Sequence, residues 1–554
     1  MIKLDDIRRH AAARPDAIAV VDGATRLSWT DFADAVDRFA AGLVARLPEA
    51  GPVRAVFLAD PSGQLTVALA ACATLGVPCT GLDPAQDGDR LDALLGALDP
   101  CTVFVDPHHR PLLEGRTWPG GPASSWITLD ATAAGGTEPA QDVREPACEP
   151  VPGGTGTPEA SGAPHPEVSF RRLSESEPLR RLPEPPHRES LGVVPGGQRI
   201  TVRRAATEGR GLVALIDEFG FDAHDTHLVA APLWLPLSLQ LARTLLAVGA
   251  TVVLDATRDA RTLAALVTAE HVTTAVFDPG TLGRLLAHPA SAPLASLGRL
   301  RCVIAPGRHV GRWTVNAAWE RLGPVLHLAY TTPETGLSAI LTPEEGQVSR
   351  MRTGRAVLGT TLAVLDAEGA VLPAGRPGRV AVCGHHVMDG HLDGEDAFVT
   401  LDAGAGEQRF FVTDDLGVLD EQGRLTLTGR GAGVTSPARD RALDAALFRL
   451  ESDLLNLPCL RDTAVVRVGL PALGDALVVP FIAVAVGREV SGHTALRTAC
   501  ARRVPSIPAH VIAVDHIPYS PTGRIRTAEL LEAVLPIITL NLQLEQSVHQ
   551  EVSA

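Results

Sequence analysis

Three segments of this chain concentrate side chains that could do chemistry: YTTPETG at 330–336, RFFVTDDLGVLDEQGRLTLTGR at 409–430 and IPYSPTGRIR at 517–526. The second carries the adjacent carboxylates Asp414 and Asp415, and a carboxylate accepts naturally from two vicinal hydroxyls. Asp415 could equally cap the turn that follows it. Arg430 and Arg524 bring permanent cations with planar, multi-donor forks. In the first segment Pro333 fixes its own φ and removes an N–H, so this loop offers fewer donors than a Thr-rich one. Upstream, Gly196 and Gly197 in VVPGGQRITVRRAATEGRG could expose backbone N–H groups to an anion, or simply turn the chain. CGHHVMDGH at 383–391 gathers Cys383, His385, His386, Asp389 and His391, but strand alternation sends neighbours to opposite faces and argues against a shared metal. Neither a Gly-x-Ser-x-Gly elbow nor a His-Glu-x-x-His helix occurs.

Positioning such groups takes a large framework. From Trp29, the residues Phe32, Val36, Phe39, Leu43 and Leu47 recur every three or four positions and predict a helix with one apolar face. PVRAVFLAD, PCTGLD and CTVFVD read as strands, and QLTVALAACATLGV and DRLDALLGAL as the helices between them, a βαβ grammar. Between 108 and 197 Pro, Gly, Ala and acidic residues replace large apolar ones, which predicts a mobile insertion. The strand and helix alternation returns at GLVALIDEF and continues through RCVIAPG. Short strands with Gly and Pro turns follow in LAVLDAEGAVLPAGRPGRVAVCG. The expected fold is α/β: a large N-terminal domain, 1–430, of layered βαβ subdomains plus a β-rich subdomain, then a small C-terminal α/β domain, 431–535, and a tail, 536–554.

The composition narrows the classes of function. With 554 residues, 45% hydrophobic and 20% charged, the chain can bury one or more large cores. Its formal net charge of −15 excludes a general nucleic-acid binder. Arg203, Arg204 and Arg210 read as solvated surface cations. The eight cysteines show no C-x-x-C pair and no secretory spacing, which predicts reduced thiols. The charged N-terminus and the lack of a bilayer-length apolar run predict a soluble, cytoplasmic protein.

Together with LSWTDF (27–32), TLGVPCTGLDP (74–84), RLDALLGALDPCTVFVD (90–106) and GRVAVCGHHVMDGH (378–391), the three segments resemble, in order and spacing, the adenylate-forming superfamily of acyl-CoA synthetases, peptide-synthetase adenylation domains and luciferases. The resemblance covers nearly the whole chain outside the insertion and tail. It implies an AMP-forming acid ligase that joins a carboxylate to the α-phosphate of ATP, releases pyrophosphate and often passes the acyl group to a thiol. By that match Tyr330 lies against adenine, Asp415 grips the ribose and Arg430 stands at the domain junction. Glu334 becomes the catalytic carboxylate that holds Mg²⁺, and Arg524 the catalytic cation. Trp234 and Gly307 fall at substrate-binding positions, where Leu233, Leu235 and Leu237 offer no charge for an amino acid's ammonium. A fatty, aryl or other uncharged acid is therefore expected.

Several residues depart from the superfamily's pattern. Its phosphate-loop lysine and hydroxyl run are absent, Arg524 replaces a lysine, Asp414 a glycine, Pro333 a threonine, and GAGVTSPARDRALD lacks the hinge's Gly-Gly pair. Three readings stay open: an acyl-adenylate-forming enzyme using ATP and Mg²⁺, a pseudo-enzyme serving a protein partner, or an ATP-independent acyl-handling protein. An acyl-carrier protein or CoA is the expected acceptor for the first.

Overall fold

The computed structural model describes residues 4–45, 54–114, 125–129, 167–177, 189–193, 199–291, 294, 299–306, 310–348, 353–394, 397–404, 406–430, 438–455, 457, 460–466, 482–486, 498, 502, 510–514, 516–520 and 525–536. They belong to two compact units, Lys3–Arg188 and Glu189–Ala554 with Met1–Ile2. Among the described residues no helix is long and apolar enough to cross a membrane.

In the first unit, helix Trp29–Val44 starts at Ser28, whose side chain accepts from the Asp31 N–H while the Asp31 carboxylate accepts from the Ser28 N–H. This reciprocal cap satisfies two donors that a helix start leaves unpaired. Phe32, Val36, Phe39 and Leu43 are buried, as their spacing predicts. Five parallel strands run in the order Cys79–Gly81, Arg54–Leu58, Cys101–Val105, Ser125–Thr128 and Glu167–Ser169. The last two correct the sequence expectation, since they lie inside the stretch read as one insertion. SWIT and EVS are too short to show a pattern alone, and parallel pairing supplies what local sequence does not. The rest of 130–166 lies outside the described residues.

Helix Trp29–Val44 packs on the short helix Phe170–Ser174, with the Phe39 and Phe170 rings stacked at 4.7 Å. At Gly42 an added Cβ would sit 2.6 Å from the Leu173 carbonyl oxygen and 2.9 Å from its Cα. Backbone atoms cannot step aside cheaply, so Gly42→Ala should lower unfolding free energy by about 1–3 kcal/mol in urea denaturation. An unchanged midpoint would contradict this contact.

The second unit holds a sheet ordered Arg355–Ala356, Gly336–Leu341, Leu326–Thr332, Cys302–Pro306, Thr274–Phe277, Thr226–Ala230 and Thr251–Leu254. Its last five strands are parallel and the first two antiparallel. A second, antiparallel sheet contains Thr360–Leu365, Gly378–Gly384, Glu407–Leu419, Phe398–Asp402 and Leu425–Arg430. Tyr330 and Ala339 pack with Val380, Val382, Phe411, Leu425 and Leu427 in one apolar cluster, which fixes the end of the first sheet against the second. Ile200–Arg204 pairs with both Glu189–Val193 and Gly390–His391. Towards the C-terminus, helix Ala438–Leu455 and strands Asp462–Val466, Ile482–Val486 and His510–Ala513 also belong to this unit. The compact units thus divide at 188/189, within the expected insertion, whereas the expected domain junction was at 430.

Candidate functional site

One cleft of about 1390 Å³ opens in the second unit where several strands end. Ala305 and Pro306 reach it from one parallel strand, Ala329 to Thr332 from the next, and Phe411 to Asp415 from the antiparallel sheet. In open α/β sheets the carboxyl ends of strands leave such a crevice, because the next connection turns away there. Pro279 and Gly280, at a helix start capped by Asp278, form another wall. Asp462, Tyr519 and Ile525 line the C-terminal side.

Tyr330 and Asp415, 85 residues apart in sequence, meet here: the Tyr330 hydroxyl donates to Asp415 Oδ2 at 2.8 Å, and both residues are buried. Burial, then the Asp415 charge, pushes the tyrosine well above its ordinary value, so it stays a donor. The Thr413 hydroxyl accepts from the Asp415 N–H at 3.2 Å. Arg430 stands opposite Asp415 in the antiparallel register, and Asp414 is exposed at the cleft.

Glu334 lines the same cleft on the turn that joins two strands, and its carbonyl accepts from the Met388 N–H at 2.7 Å. Thr332 braces that turn by accepting from the Thr335 N–H at 3.1 Å. Gly336 closes it at φ +60 and lies so near His386 that an added Cβ would be 2.7 Å from the His386 Cβ. Beneath the turn, Arg203 donates to the carbonyls of Pro333 and His386. That placement corrects its reading as a surface cation: two main-chain acceptors, 130 and 183 residues away in sequence, draw the guanidinium inward. Arg204 and Arg210 are exposed.

The model of the AMP-binding enzyme family matches residues 7–169 and 197–392, which include the Tyr330 strand and the Glu334 turn. The chain belongs to the AMP-binding enzyme family. Within that family, it is 24% identical over 539 residues to the indoleacetate–CoA ligase of Aromatoleum aromaticum, covering 95% of this chain and 97% of the relative. Identity to a salicylyl-CoA synthase / salicylate adenylyltransferase of Streptomyces sp is 25% over 536 residues, 94% and 91% of the two chains. Among solved structures, the amide bond synthetase McbA of Marinactinospora thermotolerans superposes with a TM-score of 0.70 at 22% identity, covering 95% of this chain and 98% of that one. The anthranilate CoA ligase AuaEII, bound to anthranoyl-AMP, gives 0.71 at 16% identity, with 96% of each chain covered. These likenesses show the adenylate-forming α/β fold.

In this AMP-binding family member the other expected residues fall variously. Gly307, Arg524 and the Gly196–Gly197 pair lie outside the described residues. Trp234 is half-buried and is not among the residues lining the cleft, and Leu233, Leu235 and Leu237 are buried core. Ala305, Pro306, Val310 and Trp313 are among the apolar residues that do line the cleft. Arg199 and Arg379, neither singled out from the sequence, also face the cleft, and Arg199 pairs with Asp393 at 3.3 Å.

In the first unit Asp60, Asp106 and His109 come within 4.8 Å of one another. The Asp106 oxygens already accept from the N–H groups of Asp60 and His109 at 2.8 and 2.9 Å, which describes a braced turn.

Tyr519 repeats the arrangement of Tyr330, donating to Asp462 Oδ1 at 3.0 Å. The chain has two tyrosines, and both line the cleft with a carboxylate partner. Burial pushes Asp462 from its ordinary 3.8 up to about 6. Between roughly pH 4 and 6 the folded state then keeps a proton that the unfolded chain has released, so stability falls as pH rises through this window. Asp462→Asn, which still accepts from Tyr519, should raise stability by on the order of 1–3 kcal/mol above pH 6 and by nothing below pH 4. Thermal denaturation against pH checks it, and a pH-independent difference would contradict the assignment.

Proposed function

We propose that this chain activates an aryl or other uncharged carboxylic acid by adenylation, the acid's oxygen attacking the α-phosphorus of ATP as the bond to the departing pyrophosphate breaks. The observation that carries this reading is the meeting of Tyr330, Asp415 and Glu334 in one cleft of about 1390 Å³. Pockets for one small ligand span roughly 300–1,000 Å³, so this one has room for a nucleotide and an acid together. Asp415 takes the ribose hydroxyls, with Tyr330 beside it and Arg430 across the strand pair. Arg199, Arg379 and Arg524 supply cations for phosphate charge in place of the absent phosphate-loop lysine.

Glu334 and the hydroxyls of Thr331 and Thr332 present hard oxygen donors at the cleft, a set that fits Mg²⁺. Mg²⁺ held there would neutralise phosphate charge. An aromatic ring suits the wall of Ala305, Pro306, Val310 and Trp313, and the relatives named for indoleacetate, salicylate and anthranilate support an aryl acid. CoA or an acyl-carrier protein is the acceptor this reading favours.

The test is pyrophosphate release by purified protein with Mg·ATP and a panel of indoleacetate, salicylate, anthranilate and a fatty acid. Release that depends on one acid is the expected result. No release with any acid, together with no ATP binding at millimolar concentration, would overturn the reading and leave the fold to a protein partner.

A further inference from the structure

Arg203 makes more main-chain contacts across this unit than a cation of its apparent surface character should. It sits on strand Ile200–Arg204, and its Nε donates to the His386 carbonyl at 3.1 Å while one terminal nitrogen donates to the Pro333 carbonyl. The other terminal nitrogen donates to Thr201 Oγ1 at 3.3 Å. All three arms of the fork are thus used. Lysine's ammonium is a point charge on a flexible stem and cannot span two carbonyls in this fixed geometry.

The two carbonyls belong to different turns. Pro333 stands in the turn that presents Glu334 to the cleft, and His386 in the turn that follows Gly378–Gly384. Met388 N–H to Glu334 carbonyl, 2.7 Å, joins the same two turns from the other side, and Asp389 N–H to Val202 carbonyl, 2.8 Å, ties the second turn to the strand of Arg203. Asp389 also accepts from the Arg204 N–H at 2.7 Å. Arg203 is not among the residues lining the cleft. Its positive charge is felt by Glu208, Glu334 and Asp389. Pro333 surrenders an N–H, yet its carbonyl is what the guanidinium holds.

We propose that Arg203 is a positioning residue, clamping the 332–336 turn to the 384–389 turn from behind so that Glu334 is held at the cleft. Glu334's task rests on the function proposed above, whereas the clamp itself does not. A half-buried fork satisfied by carbonyls leaves those carbonyls without a partner when it is removed, so the turns must separate or take in water.

The experiment compares wild type, Arg203→Met and Arg203→Lys by hydrogen–deuterium exchange and by Mg·ATP kinetics. Exchange of the amides in 331–336 and 386–389 is expected to quicken at least tenfold in both variants, with strand Thr274–Phe277 unchanged. The Km for Mg·ATP should rise about tenfold in Arg203→Lys while the Km for the acid stays as in wild type. Unchanged exchange in the two turns would overturn the clamp whatever the nucleotide does. Faster exchange throughout the unit, or wild-type Km values for Arg203→Lys, would reduce Arg203 to general stability and overturn the positioning role. If wild type binds no Mg·ATP, the proposed function fails while the exchange data still decide the clamp.

Discussion

Replacing Asp415 by alanine is expected to lower acid-dependent pyrophosphate release about a hundredfold and to destabilise the fold as well. The carboxylate is buried and accepts the Tyr330 hydroxyl at 2.8 Å, so its removal strands a buried donor. Leaving such a group unpaired costs about 1–3 kcal/mol, and a lost charged contact to substrate in the transition state adds a similar amount, about 2.7 kcal/mol for a hundredfold. Asp415→Asn separates the two effects, because its amide oxygen still accepts from Tyr330 while the negative charge is gone. Its melting temperature should stay near that of wild type while activity remains depressed by at least tenfold. Full activity in Asp415→Asn would remove Asp415 from the nucleotide site and return it to a turn-bracing role.

Gly336→Ala comes second in size. Its φ of +60 is a conformation that L side chains adopt at a cost of about 1–2 kcal/mol, and the new Cβ would lie 2.7 Å from His386 Cβ and 2.9 Å from its carbonyl oxygen. Overpacking against backbone adds about 1–3 kcal/mol, so a total loss of about 3 kcal/mol is expected in urea denaturation. Gly369→Ala is the matched control: φ is +87 there and nothing lies within 4 Å. The difference between the two variants isolates the packing part, and equal losses would show that His386 yields to the new methyl. Since Glu334 is two residues away, Mg·ATP affinity should fall in Gly336→Ala and hold in Gly369→Ala.

What the sequence disclosed, and what it withheld, follows the range over which each feature is encoded. Helix Trp29–Val44 is legible because Phe32, Val36 and Phe39 repeat along a few turns, and Ser28 with Asp31 marks its start within four residues. Strands Ser125–Thr128 and Glu167–Ser169 are not, because what makes them strands is a partner chain segment far away in sequence. At 233–237 leucines are plentiful, and apolar composition there says that they are buried without saying whether a side chain faces a sheet or a cavity. Arg203 shows the same limit for charge. Nothing local to RITVRR records that two distant carbonyls lack donors until this guanidinium arrives.

The two tyrosines give the cleft a private voice. Because Tyr330 and Tyr519 are the chain's full complement, incorporation of 3-fluorotyrosine would yield two fluorine resonances, each from a ring that faces the cleft and donates to a carboxylate. Every signal in that spectrum would report on the site, with no background from the other 552 residues' worth of chain. One resonance would follow the strand ends around Asp415, and the other the C-terminal wall around Asp462. Ligand screening and the ionisation of Asp462 could then be watched in solution, atom by atom, on a protein of this size.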